Sequence, residues 1–284
     1  MKRATAFFLT ILAASAVYGQ VAEGDQHWAL RADGAQNGHA RAEHVNAAIA
    51  AYQRAITADP NDLDAHWKLL RAHRFKGAYV ASTNDEKKQI YGPAKDAGEA
   101  ALALLDRKLR DKGVSSIARA SEKQVADVAR TIPGAAETFL WDSINWGEWA
   151  LAYGKMAAVR QGAADRIRRE AMIANLIDSK LEGGSPSRVL GRLYNQTPRI
   201  PFITGWASDR EAVRFLNDSL KIDPTNKITI VFLAEAMVAD NGSTKPKAVQ
   251  MLKNAVAAPV DPNYSVEQTA ALNDAKNLLH RWGA

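Results

Sequence analysis

One segment of this chain occurs twice. Residues 48–72, AIAAYQRAITADPNDLDAHWKLLRA, align without a gap on residues 212–236, AVRFLNDSLKIDPTNKITIVFLAEA. Ala48, Asp59, Pro60, Leu69 and Ala72 fall on Ala212, Asp223, Pro224, Leu233 and Ala236. Apolar type is kept at Ile49 and Val213, Tyr52 and Leu216, and Ile56 and Leu220. Residues three and four apart share a helix face, so Tyr52 and Ile56 form one stripe. Proline cannot continue a hydrogen-bond ladder, so each copy reads as helix, Asp-Pro stop, helix.

This spacing is the second half of a tetratricopeptide (TPR) repeat joined to the first half of the next. Ala97, Ala101 and Leu104, and again Ala248, Leu252 and Ala255, carry the same small-and-large face. The expected fold is therefore all-α, a TPR-like α-superhelix of helical hairpins. Two repeat arms, about 28–112 and 208–282, flank an irregular helical centre, about 133–207. The last helix, with Leu272, Ala275, Leu279 and Trp282 on one stripe, would close the stack.

Local signals set the expected boundaries. Helices are expected over Val21–Ala35, Arg41–Ala58 and Leu63–Lys76, with Gly77 stopping the third. Thr83 with Glu86, Ser121 with Gln124, Ser208 with Glu211 and Ser265 with Gln268 have capping-box spacing. Pro93 would open a helix that ends near Gly113. In the centre, Ala135–Arg160 reads as one long helix and Ala163–Lys180 as the next. Gly183 and Gly184 then break the pattern, and Ser185-Pro186 restarts it.

The N-terminus has a charged start, Lys2 and Arg3, and an apolar run from Ala4 to Val17. The run is too short to span a membrane and matches a secretory signal, cleaved after Gly19 to leave Gln20 first, or after Ala16. Residues 1–19 are thus expected to be removed and 20–284 to form a single helical domain. The chain holds no cysteine, which excludes disulfides, thiolate metal sites, a thiol nucleophile and a lipid-modified cysteine. An exported protein of this kind in a Gram-negative cell is periplasmic and not a lipoprotein.

The formal net charge of +6 is interspersed rather than blocked. Its densest cluster, RIRR at Arg166–Arg169, reads as a solvated helix face. Nucleic acid is not an expected partner. The six histidines make no metal constellation: His66 and His73 sit at packing positions of the repeat. Phosphate-loop, zinc-protease and serine-hydrolase patterns are absent, so no catalytic residue, metal or cofactor is expected. Asp142, Asn145 and Glu148 read as hydrogen-bonding groups on the polar side of an aromatic helix.

Two features of the centre read either as core packing or as a functional surface. Trp141, Trp146, Trp149 and Tyr153 crowd one helix, and three of the chain's seven tryptophans lie in it. The loop TPRIPFITGW, residues 197–206, is too apolar for a solvated connection. With Ile200, Phe202 and Trp206 it must pack, cover a cavity or meet a partner. Arg188 and Arg192, one turn apart just before it, are placed to hold an anion or stand solvated.

The helix LWDSINWGEWAL, residues 140–151, and the segment EGGSPSRVLGRLYNQTP, residues 182–198, resemble the T-component family of TRAP transporters. The second is close to that family's Gly-Gly-Pro, Arg, Leu-Gly signature, with Ser185 inserted before the proline. The resemblance runs from about Gln36 to Trp282. It implies a non-enzymatic periplasmic accessory protein that binds the solute-binding P subunit of a TRAP-type uptake system. It further implies oligomers, typically trimers, and a hydrophobic small molecule as ligand. The missing lipoprotein cysteine departs from many members. The alternative is a generic exported TPR scaffold for protein–protein interaction in envelope assembly.

Overall fold

A computed structural model describes residues 19–284. Residues 1–18, and with them the expected signal segment, lie outside the described residues. Among the described residues the protein is all-α. Its only β feature is an isolated bridge between Gln36 and His39. No described helix is long and apolar enough to cross a membrane.

Helix α1 is described over residues 19–29. Then follow α2 (Ala42–Ala58), α3 (Leu63–Tyr79), α4 (Asn84–Arg110), α5 (Glu122–Ala129), α6 (Ala135–Tyr153) and α7 (Lys155–Arg160). The rest are α8 (Ala163–Ile177), α9 (Leu181–Gln196), α10 (Asp209–Ile222), α11 (Lys227–Asp240), α12 (Lys245–Ala257) and α13 (Ser265–Arg281). Most helices pack on their sequence neighbours: α2 on α3, α3 on α4, and α8 through α13 each on the next. Helix α6 is the exception, touching α3, α4, α8 and α9 together.

The doubled segment folds alike in both places. Ala48, Tyr52, Ala55, Leu69 and Ala72 are buried, and so are Ala212, Leu216, Ser219, Leu233 and Ala236. The first helix of each pair ends on an aspartate with nearly the same backbone, φ −137° and ψ 97° at Asp59, φ −131° and ψ 90° at Asp223. Asp59 Oδ1 accepts from Asn61 N at 2.9 Å, and Asp223 Oδ1 from Thr225 N at 3.1 Å. The next helix is capped by Asp62 in one copy and Asn226 in the other, each side chain accepting exposed amides of the first turn.

Several boundaries differ from the sequence expectation. Gly77 does not stop α3. It lies inside the helix, where a side chain would collide with the ring of Tyr91 on α4. Pro93 does not open a helix either. The capping box of Thr83 and Glu86 opens α4 ten residues earlier, and Pro93 rides inside it. Its missing amide costs one ladder bond, which the burial of Tyr91 and Ala94 against α6 offsets. The expected long helix 135–160 is cut at Gly154, whose φ of 91° lies in the left-handed region that only glycine enters freely. Ser121 and Gln124 form the full box, whereas Ser208 accepts from Glu211 N while Glu211 turns to Arg214. Ser265 does not cap α13: Tyr264 occupies that place after a short 3-10 turn, and Gln268 instead accepts from Asp261 N.

The segment 182–191 joins the centre to the C-terminal helices. Glu182, Gly183 and Gly184 have φ of 47°, 63° and 78°, three left-handed residues in succession. Right-handed helix resumes at Ser185-Pro186. Gly184 and Gly191 then sit directly on α10, against Ser219 and Leu216. The two ends of the described chain also meet. Arg31 pairs with Glu267 of α13 at 3.1 Å, Asn273 donates to Asn37 O at 2.9 Å, and Val266 enters the cluster that holds Tyr52 and Phe75.

The close approach at Gly191 sets an expectation for stability. A methyl group there meets Leu216 and, at 3.1 Å, the Ala212 carbonyl. Gly191→Ala should lower stability by about 1–3 kcal/mol, the usual cost of overpacking. Gly147 of α6 has nothing within 4 Å, and Gly147→Ala should gain up to about 1 kcal/mol from helix propensity. Urea unfolding of the two variants beside the parent checks both signs.

Candidate functional site

Helix α6 delivers its aromatics along a gradient from core to surface. Trp146 is 2% exposed and Trp149 is also buried. Their rings meet edge-on at 5.4 Å, and Trp149 stacks on Tyr153 at 4.9 Å. Tyr153 reaches the surface, where its hydroxyl donates to Lys88 O at 3.2 Å. Trp141 is half-buried, and its indole N–H has no partner among the described residues. Trp146 and Trp149 are thus core side chains that support the surface, while Tyr153 takes part in it.

Asp142, Asn145 and Glu148 on the polar side of α6 are hydrogen-bonding or ion-pairing groups, as their spacing implies, and their partners lie within the protein. Asp142 is completely buried. Gly98 of α4 makes room for it, since any side chain there would collide with the Asp142 carboxylate. Arg166 of α8 binds Asp142 Oδ2 at 3.0 Å and Glu170 Oε1 at 2.9 Å, and its guanidinium lies 4.4 Å from the Trp146 ring centre. Burial pushes Glu170 well above the usual carboxylate range, and the neighbouring Asp142 adds to it; burial likewise raises Asp142. Asp142 Oδ1 and Glu170 Oε2 are buried with no hydrogen-bond partner among the described residues, and burial beside Asp142 favours the protonated form of Glu170. With Glu170 protonated, the Asp142–Arg166–Glu170 triad is electrically neutral and can stay in the core. Asn145 donates to Leu70 O at 3.0 Å and to Trp141 O at 2.8 Å, tying α6 to α3. The RIRR cluster is therefore not a free basic face. Arg166 serves the buried triad, and Arg169 donates to the backbone carbonyls of Ile117 and Ala120.

The loop after α9 is held at its base and bare at its tip. Trp206 is half-buried, and its indole donates to Asp165 Oδ1 at 2.9 Å. Its ring meets Tyr194 at 5.0 Å and Arg168 at 5.1 Å. Thr204 closes the loop on itself by donating to Pro198 O while accepting from Ile200 N. Ile200, Phe202 and Ile203 are exposed, Phe202 completely so. Phe202 also has φ 65°, a left-handed conformation that costs a non-glycine residue about 1 kcal/mol or more.

Trp206 ties this tip to the start of α8, and α7 runs directly into α8. The α6–α7 corner also carries exposed apolar side chains, Leu151, Met156 and Val159, and both helices pack on α8. These three were missed in the sequence. For Met156 and Val159 the signal was Gly154, read as a helix interior: a break there starts a new helix, α7, that leaves both of them exposed.

Arg188 and Arg192 part company. Arg192 binds Glu235 at 2.6 Å and stacks 4.3 Å from the Phe232 ring centre, so its charge is matched. Arg188 donates to Thr229 Oγ1 at 3.2 Å and to the carbonyls of Glu182 and Gly183. No carboxylate lies within 4 Å of it among the described residues. They are neither a solvated pair nor a common clamp.

His66 and His73 are buried, and His73 is pushed down to about 4 by burial, so both act as neutral packing groups. Among the described residues no three His, Asp or Glu side chains are grouped to hold a metal. Comparison with protein families and with curated proteins finds no match to this chain.

Two expectations follow from this geometry. Trp146→Ala should cost about 3–5 kcal/mol, whereas Phe202→Ala, which removes no contact, should leave the melting temperature unchanged or raise it. Glu170 behaves as a buried acid with a raised pKa. Its contribution to stability is complete below its ordinary value of 4.5 and is lost as pH rises through its folded-state value. Glu170→Gln keeps an acceptor for Arg166 and removes the titration. The variant should match the parent near pH 4 and gain on it steadily toward pH 8, as read by urea unfolding. A difference that does not change with pH would mean Glu170 is ionised in the folded protein.

Proposed function

We propose that this chain is a TPR-like α-superhelix that works, without chemistry of its own, as an exported accessory protein of a TRAP-type solute uptake system. Two arms, about 28–112 and 208–282, hold the interrupted centre 133–207 as a rigid platform. The matched burial and matched Asp-Pro turns of the two copies support the repeat reading. The observation that carries the functional reading is the apolar edge of the centre. Leu151, Tyr153, Met156, Val159, Ile200, Phe202 and Ile203 are all exposed there, while the tryptophans that carry the sequence resemblance lie beneath it and stiffen it. Fully burying one such side chain against a partner is worth about 1.5–3 kcal/mol. A proline on each side of Ile200 limits the entropy lost when the loop is captured.

On this reading the edge docks the periplasmic solute-binding P subunit and receives a hydrophobic ligand at that junction. Self-association, with trimers implied by the resemblance, uses surface away from this edge. The left-handed turn at 182–184 supports the same reading, because it supplies a physical reason for the glycines of the resembling segment.

The test is a charge placed on the edge. Phe202→Asp and Met156→Asp, singly and together, should leave the melting temperature within about 2 °C of the parent, since both side chains are exposed. Binding to the purified P subunit, followed by calorimetry, should fall at least tenfold in the double variant. Undiminished binding by the double variant would remove the edge from the interface. Recovery of outer-membrane assembly proteins in place of the P subunit would turn the reading to an envelope-assembly scaffold.

A further inference from the structure

Two histidines that stand 17 residues apart in the chain meet in the fold. His27 lies in the last turn of α1 and His44 in the first turn of α2. Their Nδ1 atoms are 3.2 Å apart, and their ring centres are 5.5 Å apart with the planes tilted by 35°. The nitrogens are much closer than the ring centres, so the rings are not stacked and their Nδ1 edges face each other. Both side chains are half-buried.

The meeting is set by the way α1 lies on α2. The two helices run antiparallel. Glu23 binds Arg54 at 2.7 Å, the Asp25 carboxylate accepts from the Tyr52 hydroxyl at 2.9 Å, and His27 comes opposite His44. Val21 is buried in the cluster of Val45, Ala48 and Tyr52, and Gly24 rests on the Tyr52 ring with no side chain between. Asp25 is held a second time, by Lys68 of α3 at 2.7 Å. None of these contacts uses an imidazole. They hold the two rings face to face before anything binds between them, which is what a preorganised site requires.

Facing Nδ1 atoms offer a narrow choice. Their lone pairs repel unless one cation stands between them, and imidazole takes either a proton or a metal ion. With a proton, one ring donates to the other, and 3.2 Å is at the long end of the range for such bonds. With a metal, bonds of about 2.0–2.1 Å at a near-tetrahedral angle set two ring nitrogens about 3.3–3.4 Å apart. The observed spacing is close to that, and each ring need only turn about its Cβ–Cγ bond to aim its lone pair at the ion. Among the described residues no third His, Asp or Glu joins them, while half-burial lets water complete the coordination. A pair of imidazoles suits zinc, copper or nickel and does not suit calcium or magnesium, which take oxygen ligands.

We propose that His27 and His44 form a binding site for a divalent transition-metal ion, which replaces the shared proton and takes its remaining ligands from water. An ion there clamps α1 to α2, close in sequence to Arg31, whose pairing with Glu267 joins the two ends of the described chain. The site is independent of the apolar edge and of the partner assigned to it.

The experiment titrates the full-length chain, made without a polyhistidine tag, with zinc chloride near neutral pH. Magnesium chloride at matched ionic strength is the comparison, and calorimetry and thermal shift are the readouts. One zinc ion per chain should bind and raise the melting temperature, and magnesium should do neither. His27→Ala and His44→Ala should each weaken zinc binding at least tenfold and abolish the rise. His39→Ala and His280→Ala, at exposed histidines outside the pair, should bind as the parent does. Should an alanine variant fail to fold, the parent itself carries the test. In imidazole nitrogen NMR spectra, zinc should shift the Nδ1 resonances of His27 and His44 and leave the other histidines in place. No saturable zinc binding, an equal response to magnesium, parent-like binding by both alanine variants, or shifts at other histidines alone would overturn the proposal.

Discussion

The backbone contact between α9 and α10 governs the rest of the arrangement. Gly184 and Gly191 bring one helix onto Ser219 and Leu216 of the other with no side chain between them. Close contact of this kind fixes axial position as well as distance, because a shift of one turn would drive Arg188 or Tyr194 into the place of a glycine. Three consequences hang on it. The C-terminal helices are joined to α9, which itself packs on α6 and α8, the guanidinium of Arg188 is delivered beside Thr229, and the loop after α9 leaves in the direction that lets Trp206 reach Asp165. The left-handed residues 182–184 are what turn the chain into this contact. Their conformational cost is repaid by packing that no longer-side-chain sequence could reach.

Reading the chain alone went furthest where contacts are local. The repeat copies, the Asp-Pro turns and the boxes at Thr83 and Ser121 involve residues within a few positions of each other, and the sequence holds all the partners. It failed where the deciding partner is remote. Pro93 has the appearance of a start, and only Tyr91 and Ala94 packing on α6 keeps it inside a helix. Gly77 has the appearance of a stop until Tyr91 of the next helix is seen against it. Asp142 and Glu170 carry no joint signature at all. Each is an ordinary helical carboxylate until α6 and α8 are pressed together over Arg166. The aromatic helix was half legible: its importance shows in composition, but which ring faces out depends on where Gly154 ends it.

Charge is handled in two opposite ways within a short distance. Around α6 and α8 the protein withdraws two carboxyls and an arginine from water and balances them with a proton, an arrangement that stays neutral by itself. On α9 it holds Arg188 with neutral acceptors alone, Thr229 Oγ1 and the carbonyls of Glu182 and Gly183. The first arrangement spends polar groups on holding two helices at one spacing. The second sets a guanidinium among backbone and hydroxyl oxygens, where low-dielectric surroundings strengthen each hydrogen bond.

The meeting of α13 with the first helices has a bearing on how the protein is made. Arg31 and Glu267 lie 236 residues apart, and Val266 completes the cluster that Tyr52 and Phe75 begin. A ribosome builds the early helices long before their last neighbour exists, so they wait with apolar surface uncovered. Closing so large a loop adds little free energy beyond a loop of half its length, because the entropy grows only as a logarithm. Time, rather than stability, is what it costs: the final docking is the slow, non-local event of assembly. The seam between α13 and the first helices therefore stays open until α13 itself has been made, and any chaperone that holds the early helices meanwhile must meet them by their uncovered apolar face.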